Sequence, residues 1–261
     1  MNKKYYFGIV MFLVKIFFLW SFVYASEEKE TIFQVSTINA LMEGVYDGDV
    51  TFSELKKHGN IGIGTVDDLD GEMIALDGKF YQVKTDGIAY MLNSKTETPF
   101  AIVTYFDPEF KTSLAREVNC KELNAYLDGL LESKNIFYAI KIEGKFKYIK
   151  TRSVPEQKKP YPKLTEAVKN QTVFEFSDVE GAIIGFWCPQ YAENVNVPGY
   201  HFHFITKDRK KGGHLLECKI ENVTIEIDDC NKMILDLPKT SDFNNADLNV
   251  SKQQELEKVE K

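Results

Sequence analysis

Apolar residues recur at helical spacing in STINALMEGVY, from Ser36 to Tyr46, which predicts a helix early in the chain. TFSELKKHG reads as a second, short helix, since Thr51 and Glu54 have the spacing of a capping box and Gly59 supplies a stop. From Gly62 the period shortens. DLDGEMIALDGKFYQV carries two Asp-Gly turn signals, Asp70-Gly71 and Asp77-Gly78, between apolar runs, the pattern of a meander of short strands. PFAIVTYFD is a continuous apolar run, which predicts a strand buried on both faces.

Helical spacing returns in CKELNAYLDGLLES through Leu123, Tyr126, Leu127, Leu130 and Leu131, and IFYAIKI and KFKYIKT then read as a strand pair around Glu143-Gly144. SVPEQKKPYPKL, rich in proline and lysine, marks the main domain boundary or a long crossover. Beyond it GAIIGFWCP, YHFHFIT, HLLECKI, VTIEID and KMILDL all read as strands. The predicted architecture is α+β in two sheet-containing domains. An N-terminal α/β domain over 30–152 holds a mixed sheet; a mostly antiparallel β domain over 153–261 ends in a helix, SKQQELEKVEK, with a capping box at Ser251 and Gln254.

Composition narrows the class. With 44% hydrophobic and 13% aromatic residues the chain can bury a sizeable core, which excludes disorder throughout. A formal net charge of -7, with no basic run long enough to line a phosphate backbone, argues against nucleic acid as the main partner. The first 25 residues read as an export signal: Lys3 and Lys4 precede an apolar run from Tyr5 to Tyr24, and VYA offers a cut after Ala25. Lys15 interrupts that run and argues against an uncleaved membrane anchor, so no stable membrane association is expected after cleavage, with the periplasm or the exterior as destination. Export permits disulfides. Cys120, Cys188, Cys218 and Cys230 allow three pairings, their spacing selects none, and buried small hydrophobes remain the plain alternative.

Three of the four histidines lie within GYHFHFITKDRKKGGH. In an extended strand His201 and His203 project to one face while Phe202 and Phe204 point into apolar packing on the other. KDRKKGG can return the chain, so that HLLECKI pairs antiparallel and His214 arrives beside His203. Three neutral imidazoles bind zinc without cancelling its charge and leave a coordination position open. The plain alternative is a polar strand face that meets solvent. His58, the fourth histidine, stands at a helix end, where the helix dipole is explanation enough.

VPGYHFHFITKDRKKGGH closely resembles the histidine motif of the acetolactate decarboxylases. FQVSTINALMEGVYDGDVTFSELKKHGNIGIGT, LDGEMIALDGKFYQV and TRSVPEQKKPYPKL are similar to the same family in the same order, so the resemblance runs from Phe33 to the C-terminus. It implies a zinc-dependent, homodimeric carboxy-lyase that converts 2-acetolactate to acetoin and carbon dioxide, with preference for one hand of acetoin and no organic cofactor. The ketone and hydroxyl oxygens of that small substrate can chelate one ion, which then takes up negative charge as an enediolate forms.

The resemblance carries the zinc role onto His201, His203 and His214, and an active-site role onto Glu72, Arg152 and Glu260. Arg152 is suited to holding the substrate carboxylate, and Glu72 and Glu260 to acting as an outer metal ligand or proton donor. Thr65 matches a polar residue that lines the same pocket. Composition alone would make Glu72 an exposed residue after a turn, Arg152 a strand-end surface charge and Glu260 part of a frayed terminus. For Glu260 to matter, Leu256 and Val259 must dock the last helix. Two rivals share these features: an exported metal-dependent lyase acting on another 2-hydroxy-3-keto acid, and a non-catalytic protein that binds metal or a hydroxy acid.

Overall fold

Side-chain caps start the first helices. Strand β1 (Thr31–Val35) leads into α1 (Ile38–Met42), where Thr37 Oγ1 accepts from the Ala40 amide at 3.2 Å. Thr51 repeats this for α2 (Phe52–Leu55), directly after the short β2 (Val50–Thr51), by accepting from the Glu54 amide. Helix α2 ends at Leu55, four residues before Gly59, so that glycine is not its stop. The described residues of this computed structural model are 29–260, and the export signal expected over 1–25 lies outside them.

The meander follows as β3 (Ile61–Thr65), β4 (Glu72–Leu76), β5 (Lys79–Val83) and β6 (Ala89–Met91), then β7 (Glu97–Thr98) and β8 (Ala101–Thr104). Asp77 and Gly78, with φ of 54° and 70°, form the two-residue turn that joins β4 to β5. Asp70-Gly71 instead closes a six-residue loop after β3. All four residues of β8 are buried, as expected of a strand covered on both faces.

The second half supplies β9 (Phe110–Leu114), β10 (Val118–Asn119), α3 (Cys120–Asp128), β11 (Phe137–Ser153), α4 (Leu164–Ala167), β12 (Thr172–Cys188), β13 (Gly199–Thr206), β14 (Gly212–Cys230), β15 (Lys232–Asp236), α5 (Ser241–Asn245) and α6 (Gln253–Val259). Asn119 and Glu122 form a capping box on α3. Glu143-Gly144 does not turn the chain: β11 runs through it as one 17-residue strand, paired with β12 on one side and β14 on the other. Gly144 is there for close approach, since a Cβ would lie 2.3 Å from the Asn222 carbonyl oxygen.

Two sheets result. One has seven strands in the order β15-β1-β8-β3-β4-β5-β6, mixed because β15 runs parallel to β1. The other is antiparallel in the order β10-β14-β11-β12-β13, with β9 on β14. The start of β14 also pairs with β13, which bends this sheet back on itself. The division expected from the sequence lies at 152/153. It falls inside β11, the segment after it is a crossover that returns to β12 in the same sheet, and β15 completes the sheet of the first half. Long-range pairing, not chain order, sorts the strands.

The sheets pack face to face through Ile32, Ile63, Ile74 and Tyr81 on one side and Ala139, Ile184, Phe186 and Ile205 on the other. Another core, with Phe146, Phe202, Phe204 and Leu127, covers the opposite face of the second sheet under α3. A disulfide between Cys120 and Cys218 ties the start of α3 to β14, while Cys188 and Cys230 are free and buried. Among the described residues no helix is long and apolar enough to cross a membrane.

Candidate active site

Alternation on β13 does what its pattern predicts. Phe202 and Phe204 enter the core under α3, and His201 and His203 point the other way, toward the first sheet. The connection after Thr206 returns the chain so that His214 pairs directly opposite His203. Gly213 permits this crowding, because a Cβ there would lie 2.5 Å from the Arg152 carbonyl oxygen. The three ring centroids are 5.1–5.3 Å apart, close to an equilateral triangle.

The donor set fits a metal ion. One ring nitrogen from each histidine lies within 4.8 Å of the others, and all three rings are buried. His201 Nε2 and His214 Nδ1 are 3.2 Å apart. Two nitrogens bound to one tetrahedral ion at ~2.0–2.1 Å would be separated by about 3.3 Å. His203 Nδ1 lies 2.9 Å from the Met73 carbonyl oxygen, so it carries the hydrogen and Nε2 keeps its lone pair. Burial holds all three imidazoles below the usual histidine range; His201 adds to this for His203, and Arg152 for His214. They are therefore neutral near pH 7, the form in which imidazole is a ligand. His201 Nδ1 is buried with no hydrogen-bond partner among the described residues.

Charged groups from three other places converge here. Glu72 opens β4 opposite Thr65, and Arg152 lies on β11 opposite His214. Arg152 Nη1 donates to Glu72 Oε1 at 2.9 Å, with 6% and 8% of the two side chains exposed, so this ion pair is desolvated. Glu72 Oε2 lies 3.6 Å from His203 Nε2. Burial, against the lowering effect of Arg152 and with a further rise from Glu260, pushes the Glu72 carboxyl up to about 7. Arg152 Nη2 also donates to the Val259 carbonyl at 3.4 Å, and its Nε is buried without a partner among the described residues.

Glu260 reaches the cluster because α6 docks. Leu256 and Val259 are 4% exposed, and Glu260 Oε2 lies 3.5 Å from His201 Nε2 and 3.8 Å from His214 Nε2. The capping box expected at Ser251 does not form; α6 starts at Gln253, and the Ser251 hydroxyl donates to Glu193. Thr65 donates to the Gly71 carbonyl at 2.7 Å and lines the same cavity. His58 stands apart from all of this, stacked on Phe33 and facing Glu54.

These groups enclose an inner cavity of about 40 Å³ with one polar side and one apolar side, the latter from Ile38, Leu41, Leu69, Phe100, Val154 and Leu164. His201, His214 and Glu260 also face an outer cavity of about 340 Å³ between α3 and α6. The apolar side, the Met73 carbonyl and the Val259 carbonyl were absent from the sequence expectations. Backbone acceptors carry no side-chain signal, and the apolar residues read as ordinary core.

Three buried, neutral imidazoles with the spacing to hold a metal ion stand beside a forked cation and two carboxylates inside an α+β frame, the arrangement of a metal-assisted enzyme site. The family model described as alpha-acetolactate decarboxylase matches residues 32–250. A relative of that name from Methanosarcina mazei is 50% identical over 237 residues, covering 91% of this chain and 82% of the relative. Another, from Brevibacillus brevis, is 47% identical, covering 84% of this chain and 77% of the relative. The crystal structure of alpha-acetolactate decarboxylase from Bacillus subtilis strain 168 matches with a TM-score of 0.87 at 42% identity, covering 88% of this chain and 99% of that one. The chain belongs to the alpha-acetolactate decarboxylase family, and so to the carboxy-lyases.

Proposed function

We propose that the protein converts 2-acetolactate to acetoin and carbon dioxide at a zinc ion held by His201, His203 and His214. The observation that carries this reading is the convergence of three neutral imidazoles with Arg152, Glu72 and Glu260 on one cavity; membership of the family supports the choice of substrate. Three imidazoles with room for a further ligand suit zinc. When bound, such an ion supplies a Lewis acid that draws off electron density as the carbon–carbon bond breaks.

Arg152 orients the substrate. Its Nε, without a partner among the described residues, is a donor for the carboxylate that leaves as carbon dioxide, and Glu72 fixes the guanidinium through Nη1. The apolar side of the inner cavity takes the alkyl groups and keeps water out. Glu72, its carboxyl raised to about 7, can take up and give back a proton near neutrality beside His203, while Glu260 faces His201 and His214. Delivery from one of these positions reaches one face of the substrate, which accounts for a preferred hand of acetoin. Homodimer formation and export through the first 25 residues belong to the same reading and rest on resemblance and on the signal pattern.

Racemic 2-acetolactate given to the purified, zinc-loaded protein should yield carbon dioxide and an excess of one acetoin enantiomer. His203→Ala should lose both metal and turnover. Arg152→Ala should keep metal and lose roughly 10²–10³-fold in turnover. No product at full zinc occupancy would overturn the substrate assignment; turnover by a metal-free His203→Ala protein would overturn the site.

A further inference from the structure

The terminal helix that brings Glu260 to the histidines is tied down at its far end. Glu43 is the C-cap of α1, and its carboxylate lies 2.7 Å from Lys252 Nζ, just before α6, and 3.0 Å from Lys163 Nζ, just before α4. The side chains of Glu43 and Lys252 are each 13% exposed. Burial opposes ionisation of Glu43, but the hydrogen bonds from Lys252 and Lys163 outweigh it and hold the carboxyl below the usual range.

One carboxylate thus joins three short helices whose apolar sides form a single cluster, with Ile38 and Leu41 from α1, Leu164 from α4, and Leu256 and Val259 from α6. Ile38, Leu41 and Leu164 are also walls of the inner cavity. A helix as short as α6 has little stability of its own, since isolated helices below ~12 residues are marginal in water. Its position is set by what it docks on. At ~1.5 Å of rise per residue, Lys252 and Glu260 stand about 12 Å apart along it.

We infer that Glu43 is a positioning residue: by holding Lys252 it sets the depth at which α6 docks, and so keeps Glu260 against His201 and His214. This rests on the proposed role of Glu260. A partly exposed ion pair adds little to global stability. A displacement of about 1 Å at a reacting group can nevertheless cost up to 10²-fold in rate. The clamp should therefore register in turnover more than in unfolding.

The test compares the full chain, loaded with zinc, as wild type, Glu43→Gln, Lys252→Met, Lys252→Arg, Glu260→Gln and the Glu43→Gln/Glu260→Gln pair. Glu43→Gln and Lys252→Met should lower kcat roughly tenfold, with zinc content unchanged and faster amide hydrogen exchange over 253–259. Lys252→Arg, which keeps the cation, should stay near wild type. In the Glu260→Gln background, Glu43→Gln should take nothing further from kcat. If Glu43→Gln stays within twofold of wild type while Glu260→Gln is impaired, the clamp is overturned and the role of Glu260 stands. Full activity in Glu260→Gln would instead remove the reading on which the clamp rests. Losses that multiply in the double variant would mark general destabilisation and also overturn the clamp.

Discussion

Glu72 and Asp228 are carboxyls that burial pushes in the same direction, with different partners. Arg152 partly offsets the effect at Glu72. At Asp228, only 1% exposed, the Asp107 amide donates at 3.0 Å, but the neighbouring Glu109 raises the pKa further, to about 7. An unfolded aspartate titrates near ~3.9, so the folded protein binds this proton more tightly than the unfolded chain does. Its contribution to stability is therefore full below about pH 4 and is lost as pH rises through 7. Asp228→Asn, which mimics the protonated form, should flatten the fall in Tm between pH 5 and 8. It should leave the variant more stable than wild type at pH 8 by on the order of 1–2 kcal/mol. Equal slopes in thermal melts of the two proteins would count against this. Nothing in the run VTIEIDDC distinguishes Asp228 from its partly buried neighbours Glu226 and Asp229, because the proximity of Glu109 arises from a contact across more than a hundred residues.

Among the elements, α3 is the one held covalently. The Cys120–Cys218 bond closes a loop with a sequence separation of 98 and fixes the helix that forms one wall of the outer cavity. Removing it through Cys218→Ser should cost about 2–4 kcal/mol, read as a lower urea midpoint at unchanged slope. Matching midpoints for wild type and variant would reject that. Burial pushes the Cys188 and Cys230 thiols up, so neither should react with a thiol reagent until the protein unfolds. The helix itself was legible from the spacing of its leucines, as was the strand character around Gly144; the capping box of Asn119 and Glu122 was not read there. The turn at Asp77-Gly78 was legible as well; that Gly144 lies inside an unbroken strand was not. Both dipeptides fit a turn locally, and only the lengths of the partner strands distinguish them.

For the molecule as a whole, the site is a junction. His201, His203, His214 and Arg152 belong to the second sheet, Thr65 and Glu72 to the first, and Glu260 to the terminal segment, with the His203–Met73 hydrogen bond crossing between the sheets. An ion bound by three residues of the folded state stabilises that state by linkage, by about 4 kcal/mol at a thousandfold excess over Kd. Chelation should lower Tm by roughly 10 °C, zinc should restore it, and His203→Ala should show neither shift. A Tm indifferent to zinc in the wild type would contradict a metal at this junction.

The sequence alone determined which residues share a strand face, because a side-chain period of two follows from backbone geometry. That period put His201 and His203 together, and a glycine-ended return placed His214 opposite. Tertiary structure decided what those rings face. Parallel pairing of β15 with β1, the unbroken course of β11 and the docking of α6 all join residues distant in sequence. Their free energy comes from contacts that exist only once the two sheets have packed, so no local pattern records them.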